Sequence, residues 1–197
     1  MARQPVELDR REAVATLLDG RGNLLVIAGL GSPAYDVHHA GDSDANYYLW
    51  GAMGGAAMVG LGLAQARRDH RVLVITGDGE QLMGLGGLAT IAVAQPRNLA
   101  IVVLDNGHYG ETGMQRSHTG LGIDLASIAG AAGFAGAVTV TDQAGLESAA
   151  QSIRERASGP RLYVVKVKPE NLPRSLPPRD GVHLKNRLRT HLGFVVA

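Results

Sequence analysis

Five short apolar runs punctuate the chain with little polar alternation: NLLVIAG (23–29), RVLVITG (71–77), NLAIVVLD (98–105), AVTVTD (137–142) and RLYVVKVK (161–168). Runs rich in Val, Ile and Leu that do not alternate mark strands buried on both faces, as in a parallel sheet. A sixth, shorter strand is expected at 46–49. Between the runs the pattern predicts helices over 8–18, 54–66, 81–94, 125–132 and 143–157, the last capped by Asp142. The segment AGLGSPAYDV after the first run reads as a loop. Strand alternating with helix implies an α/β fold: a three-layer α/β/α sandwich on a six-stranded, mainly parallel sheet with right-handed crossovers. After Lys168 the composition shifts to PENLPRSLPPRDG and then HLKNRLRTHLG, a proline-rich exit followed by a short basic helix. Residues 1–170 therefore read as one domain and 171–197 as an extension, either solvated or docked on a partner.

Composition narrows the function classes. The 27 glycines among 197 residues are about double the usual share of roughly 7% and point to tight turns and close backbone approaches. Without cysteine there is no disulfide, thiolate nucleophile or cysteine-ligated metal, which fits a reducing cytoplasm, the expected location. A net charge of +1 and 4% aromatic residues argue against nucleic acid as a partner. The charged N-terminus MARQPVELDRREAV has no apolar stretch to act as a signal, and the most apolar segment, 49–64, falls short of a membrane span.

Chemistry in open α/β sheets gathers at the carboxyl ends of the strands. Gly77-Asp78-Gly79-Glu80 ends one predicted strand and Asp105-Asn106-Gly107-His108 ends the next. A Gly-Asp-Gly alone describes any tight turn. The pair says more, because one helix and one strand separate them and bring Asp78 and Asn106 to the same edge of the sheet. A carboxylate, an amide oxygen and a backbone carbonyl are hard ligands that suit magnesium, and the flanking glycines let backbone N–H groups approach a phosphate.

Gly77-Asp78-Gly79, a spacer of 26 residues (80 to 105) and Asn106 resemble the diphosphate and metal motif of thiamine diphosphate enzymes. The resemblance implies that Asp78, Asn106 and the carbonyl of His108 bind Mg²⁺. The run WGAMGGAAMVGLGLA resembles a second signature of that family. It implies that Met53 is the wedge holding the cofactor rings in a V shape, that Met53 N–H donates to the pyrimidine, and that the Gly51 carbonyl accepts from the 4′-amino group, with Ala52 between them. By the same resemblance Glu80, Tyr109, Gly110 and Glu111 belong with the diphosphate end. Glu80 and Glu111 read from the residues alone as solvated or supporting carboxylates. Thr112, His38 and His39 are candidates for a catalytic or substrate role. The implied fold is the diphosphate-binding (PP) domain.

Within the family, GAMGGAAMVGLGLA, GDGEQLMGLGGLATIA and LDNGHYGETGMQ look most like the small β subunits of sulfopyruvate decarboxylase and the matching part of phosphonopyruvate decarboxylase. The implied reaction is decarboxylation of a 2-oxo acid to an aldehyde, the cofactor ring accepting the electrons as CO₂ leaves. The segment GETGMQRSHTG departs from those relatives, so Arg116 or His118 could meet a substrate anion, or lie at the surface. An acetolactate-synthase-like carboligase shares the motifs; a non-catalytic cofactor- or nucleotide-binding module remains open, although AGLGSPAY does not complete a GxGxxG fingerprint. The family draws the glutamate that activates the pyrimidine N1′ from a separate pyrimidine-binding domain. Glu7, Glu12, Glu80, Glu111, Glu147, Glu155 and Glu170 are the glutamates here, and none is placed for that role. A hetero-oligomer with an α-type subunit is therefore expected, its surface on this chain being the helix from Gly54 and the tail from His183 to His191.

Overall fold

The computed structural model describes residues 8–195. Glu7 and most of the charged N-terminal segment ahead of Leu8 lie outside them. In order the elements are helix α1 (Arg10–Leu18), strand β1 (Leu25–Ala28), α2 (Ser32–His39), β2 (Asn46–Tyr48), α3 (Ala56–Ala66), β3 (Val72–Gly77), α4 (Asp78–Met83), α5 (Gly87–Ala94) and β4 (Leu99–Asp105). A two-residue pair, β5 (His108–Tyr109) and β6 (Gln115–Arg116), precedes α6 (Leu125–Ala132), β7 (Gly136–Val140), α7 (Gln143–Ile153), β8 (Arg161–Lys166) and α8 (Gly181–His191). The six-stranded sheet runs β2-β1-β3-β4-β8-β7. Every pairing in it is parallel.

Alternate residues of each central strand feed two cores. Val26, Ala28, Leu73, Ile75, Val102 and Leu104 face the layer of α1, α2 and α7. Leu25, Ile27, Val72, Val74, Ile101 and Val103 face α3, α5 and α6. Burial on both faces is why these strands read as unbroken apolar runs. Asp142 caps α7 by accepting from Gly145 N–H, as expected.

Three local expectations differ. The loop after β1 contains α2, begun by Pro33 in its first turn, where a missing N–H costs nothing. The single helix over 81–94 is two, α4 and α5, broken at Gly84–Gly86. A Cβ on Gly84 would stand 2.2 Å from the Gly54 carbonyl oxygen. That close approach of α4 to the turn before α3 requires glycine. Helix α4 also begins at Asp78 itself, three residues earlier than its pattern suggested.

The C-terminal extension lies on the domain. Its backbone accepts from the Arg11 guanidinium at Pro173 and from Trp50 Nε1 at Pro178, 2.9 Å away. Ser175 Oγ lies 2.8 Å from His38 Nδ1. Helix α8 covers the exposed edge strand β2, with Leu184 fully buried in the core and Arg187 paired with Asp42 at 2.7 Å. Covering an edge in this way blocks strand-to-strand association.

Candidate functional site

The strand order reverses direction between β1 and β3: β2 lies on one side of β1, and β3, β4, β8 and β7 lie on the other. At such a switch point the two following segments diverge to opposite faces and leave a crevice at the carboxyl ends. A cleft open in part to solvent sits there. Its walls come from Leu30–Pro33 after β1, Gly77–Glu80 after β3, Asn106 and His108–Thr112 after β4, and Val167 after β8, with Arg10 and Met53 entering from outside the sheet.

Asp78 is 3% exposed although it bears a carboxylate. Its Oδ2 accepts hydrogen bonds from the Ser117 hydroxyl and from Thr119 Oγ1 at 3.0 Å. Thr119 Oγ1 also lies 2.7 Å from Asp105 Oδ1, and Asp105 pairs with Lys166 and accepts from Gly107 N–H at 3.0 Å. Burial pushes the Asp78 pKa up, and the nearby Asp105 charge adds to that, against the two hydroxyl donors. Asn106 Oδ1 accepts from His108 N–H at 2.9 Å, so the turn is closed by the side chain itself. An amide oxygen keeps a second lone pair free in such a turn. The His108 ring folds back, with Nδ1 2.8 Å from the Asn106 carbonyl oxygen.

Glu80 is not a solvated loop carboxylate. It is 3% exposed, and its Oε2 accepts from Thr76 Oγ1 at 2.8 Å and from Leu30 N–H at 3.0 Å. Burial raises its pKa above the usual range, opposed by those donors. It ties the loop after β1 to the turn after β3. Glu111, by contrast, is half exposed and reaches Arg174 of the extension at 2.9 Å.

The segment Gly51–Gly54 carries three left-handed residues, Gly51 (φ 77°), Ala52 (φ 50°) and Gly54 (φ 90°). The turn presents Met53 at the cleft with 44% of its surface exposed. Gly51 and Ala52 are exposed beside the cleft rather than in its lining. Thr112 lines it, together with Tyr109, Gly110 and Glu111.

His38 and His39 end α2, whose opposite end carries the cleft residues Ser32 and Pro33. Eight residues of helix put about 10 Å between the two ends. His38 packs edge-on against Tyr48, 6.2 Å between ring centres, and His39 is exposed. Neither lines the cleft. Arg116 is exposed and donates to the Gly120 carbonyl, and His118 is likewise exposed.

Three residues in or under the site escaped the sequence pattern. Ser117 and Thr119 are the buried supports of Asp78, Thr119 also reaching Asp105, which the motif places beside Asn106. Their positions 39 and 41 residues beyond Asp78 follow no motif spacing (117 − 78, 119 − 78). Arg10 reaches the cleft from α1, with Nη1 2.8 Å from Ser32 Oγ.

The family model for the thiamine pyrophosphate enzyme C-terminal TPP binding domain matches residues 32–167. The chain belongs to the thiamine pyrophosphate enzyme family. It carries that family's cofactor-binding domain, and the matched span contains every segment of the cleft wall except Arg10, Leu30 and Gly31. The chain is 39% identical over 164 residues to a sulfopyruvate decarboxylase subunit β of Methanothermobacter thermautotrophicus, covering 83% of this chain and 84% of that one. It is 36% identical over 147 residues to a phosphonopyruvate decarboxylase of Streptomyces viridochromogenes, covering 75% of this chain and 36% of that protein. A benzoylformate decarboxylase from Polynucleobacter necessarius shares the fold, with a TM-score of 0.71 at 20% identity over 88% of this chain. This chain spans 35% of that structure.

Proposed function

We propose that this chain binds thiamine diphosphate through Mg²⁺ and serves as the diphosphate-binding subunit of a 2-oxo acid decarboxylase of the sulfopyruvate or phosphonopyruvate type. The observation that carries the reading is the convergence of Asp78, Asn106 and His108 at the switch-point cleft, in a chain similar over most of its length to a decarboxylase β subunit.

The donor set fits the metal. Both hydroxyl contacts to Asp78 end on Oδ2, leaving Oδ1 for a cation, and Asn106 Oδ1 and the His108 carbonyl add two neutral oxygens. One carboxylate with neutral oxygens suits magnesium, which keeps waters and substrate phosphates in its shell rather than an all-protein cage. Among the described residues no group of three His, Cys, Asp or Glu side chains could hold a metal, so phosphate oxygens would complete this one. When bound, the cofactor's thiazolium ring supplies the electron sink for loss of CO₂. The chain's part is positional: the turn Gly51–Gly54 offers the Gly51 carbonyl and Met53 to the rings, and Glu80 keeps the two phosphate-facing loops in register.

The glutamates support a second subunit. Glu80 and Glu111 line the phosphate end, the former bound to Leu30 and Thr76 and the latter to Arg174. Glu12 and Glu147 lie on α1 and α7, away from Met53. We assign the N1′ glutamate to a partner of the α type. Met53, Met58, Val59 and Met83 expose apolar surface on and beside α3 and α4, the face on which such a partner would close the cleft. The inner side of α8, also expected as partner surface, is already packed on β2.

The test is to purify the chain alone and with its co-expressed neighbour, then to follow CO₂ release from sulfopyruvate, phosphonopyruvate and simple 2-oxo acids. Activity only in the mixture is expected. Full activity of the isolated chain would remove the partner, and a ligated hydroxy-keto acid in place of an aldehyde would identify a carboligase.

A further inference from the structure

The cleft is lined by three carboxylates, Asp78, Glu80 and Glu111, and by one arginine, Arg10, with no lysine. A polyanionic ligand entering such a site needs opposing charge beyond a single divalent ion. Arg10 is the side chain placed to supply it.

Arg10 is 3% exposed. Its Nε lies 2.9 Å from Asp36 Oδ2, in an ion pair without the alignment of a hydrogen bond. Nη1 donates to Ser32 Oγ at 2.8 Å and to the Glu170 carbonyl at 3.3 Å. Nη2 has no hydrogen-bond partner among the described residues. Asp36, fully buried, is shared with Arg11 at 3.2 Å. Asp36 is thus divided between two guanidinium groups, and of these Arg10 is the one that lines the cleft, beside the Ser32 hydroxyl. A guanidinium only partly matched by a carboxylate and opening on a ligand cleft suits an anion.

The direction of approach selects which part of the ligand it meets. Met53, at the ring end, precedes α3 on one face of the sheet, whereas Arg10 belongs to α1 on the other. We propose that Arg10, with Ser32 Oγ beside it, binds the terminal phosphate of the cofactor, the group farthest from the rings. The inference rests on the thiamine diphosphate reading above. An arginine presents planar paired donors to phosphate oxygens that a lysine cannot reproduce.

Titration calorimetry of the full chain, with its partner where the two co-purify, would compare thiamine diphosphate with thiamine monophosphate at saturating Mg²⁺. The variants are Arg10→Lys and the double variant Arg10→Met/Asp36→Asn, which removes both charges of the Arg10–Asp36 pair and leaves Arg11, partly exposed, its contact with the Pro173 carbonyl. The Kd for the diphosphate is expected to rise about tenfold to a hundredfold in the double variant and less in Arg10→Lys. The monophosphate Kd should stay within about twofold. Equal losses for the two ligands, or unchanged diphosphate affinity in either folded variant, would overturn the role of Arg10. Wild-type protein that takes up no thiamine diphosphate would instead overturn the cofactor reading itself. Should the double variant fail to fold by circular dichroism, Arg10→Lys decides by the same ratio of the two affinities.

Discussion

Thr119 Oγ1 stands 3.0 Å from Asp78 Oδ2, and the same oxygen stands 2.7 Å from Asp105 Oδ1. One hydroxyl carries one proton, so it cannot donate to both carboxylates at once. Burial raises the pKa of Asp78, and at pH values below it the protonated carboxyl supplies the missing donor. In that range a metal at Asp78 must displace the proton. Mg²⁺-dependent cofactor binding is therefore expected to tighten as pH rises through the raised range and to release a proton. Calorimetry in buffers of different ionisation enthalpy measures the release.

Asp78→Ala should abolish Mg²⁺-dependent uptake of thiamine diphosphate while the fold persists. The buried carboxylate is itself a cost to the metal-free protein, so its thermal midpoint should be unchanged or higher. Unchanged cofactor affinity would remove Asp78 from the metal site.

Glu80→Gln separates charge from shape at the loop clamp. The folded-state pKa of Glu80 lies above its usual value of 4.5, so the folded protein holds the proton more tightly than the unfolded chain. Wild-type stability then falls as pH rises through the interval between those two values, and the charge cost persists above it. The variant should lack that fall, as urea unfolding at a series of pH values would reveal. Parallel curves for the two proteins would contradict the burial account.

Met53→Ala is expected to leave stability within about 0.5 kcal/mol, since the side chain is nearly half exposed. Cofactor affinity should largely remain while turnover of the assembled enzyme falls, because a relaxed ring geometry misplaces the reacting atoms. Full turnover would refute the wedge.

Gly84→Ala should cost about 1–3 kcal/mol in denaturant unfolding. The added Cβ meets the backbone of Gly54 at 2.2 Å rather than a side chain that could swing aside. Displacement of Gly54 also moves Met53, so the same variant should weaken the ring end of the site. A neutral effect would contradict the close approach of α4 to this turn.

The strand runs, the α/β class and the meeting of Asp78, Asn106 and His108 at one edge of the sheet were legible in the sequence. Each rests on chain-local physics: burial on both faces writes an unbroken Val/Ile/Leu run, and a tight polar turn at a strand end shows itself in glycine beside an acid. Helix α2 left a weaker local mark in Pro33, and the break at Gly84 left one only in a glycine that a helix tolerates at modest cost. What the chain-local signals could not carry was the company each residue keeps. Glu80 looks like any loop carboxylate until the fold seals it between Thr76 and Leu30. His38 and His39 look reactive until α2 turns them away from the cleft. Arg10, Ser117 and Thr119 join the site across separations of 22 to 41 residues from Ser32 and Asp78 (32 − 10, 117 − 78, 119 − 78). Those meetings depend on the order in which parallel strands are laid beside one another, and that order is decided by packing of the whole chain rather than by the pattern of any segment.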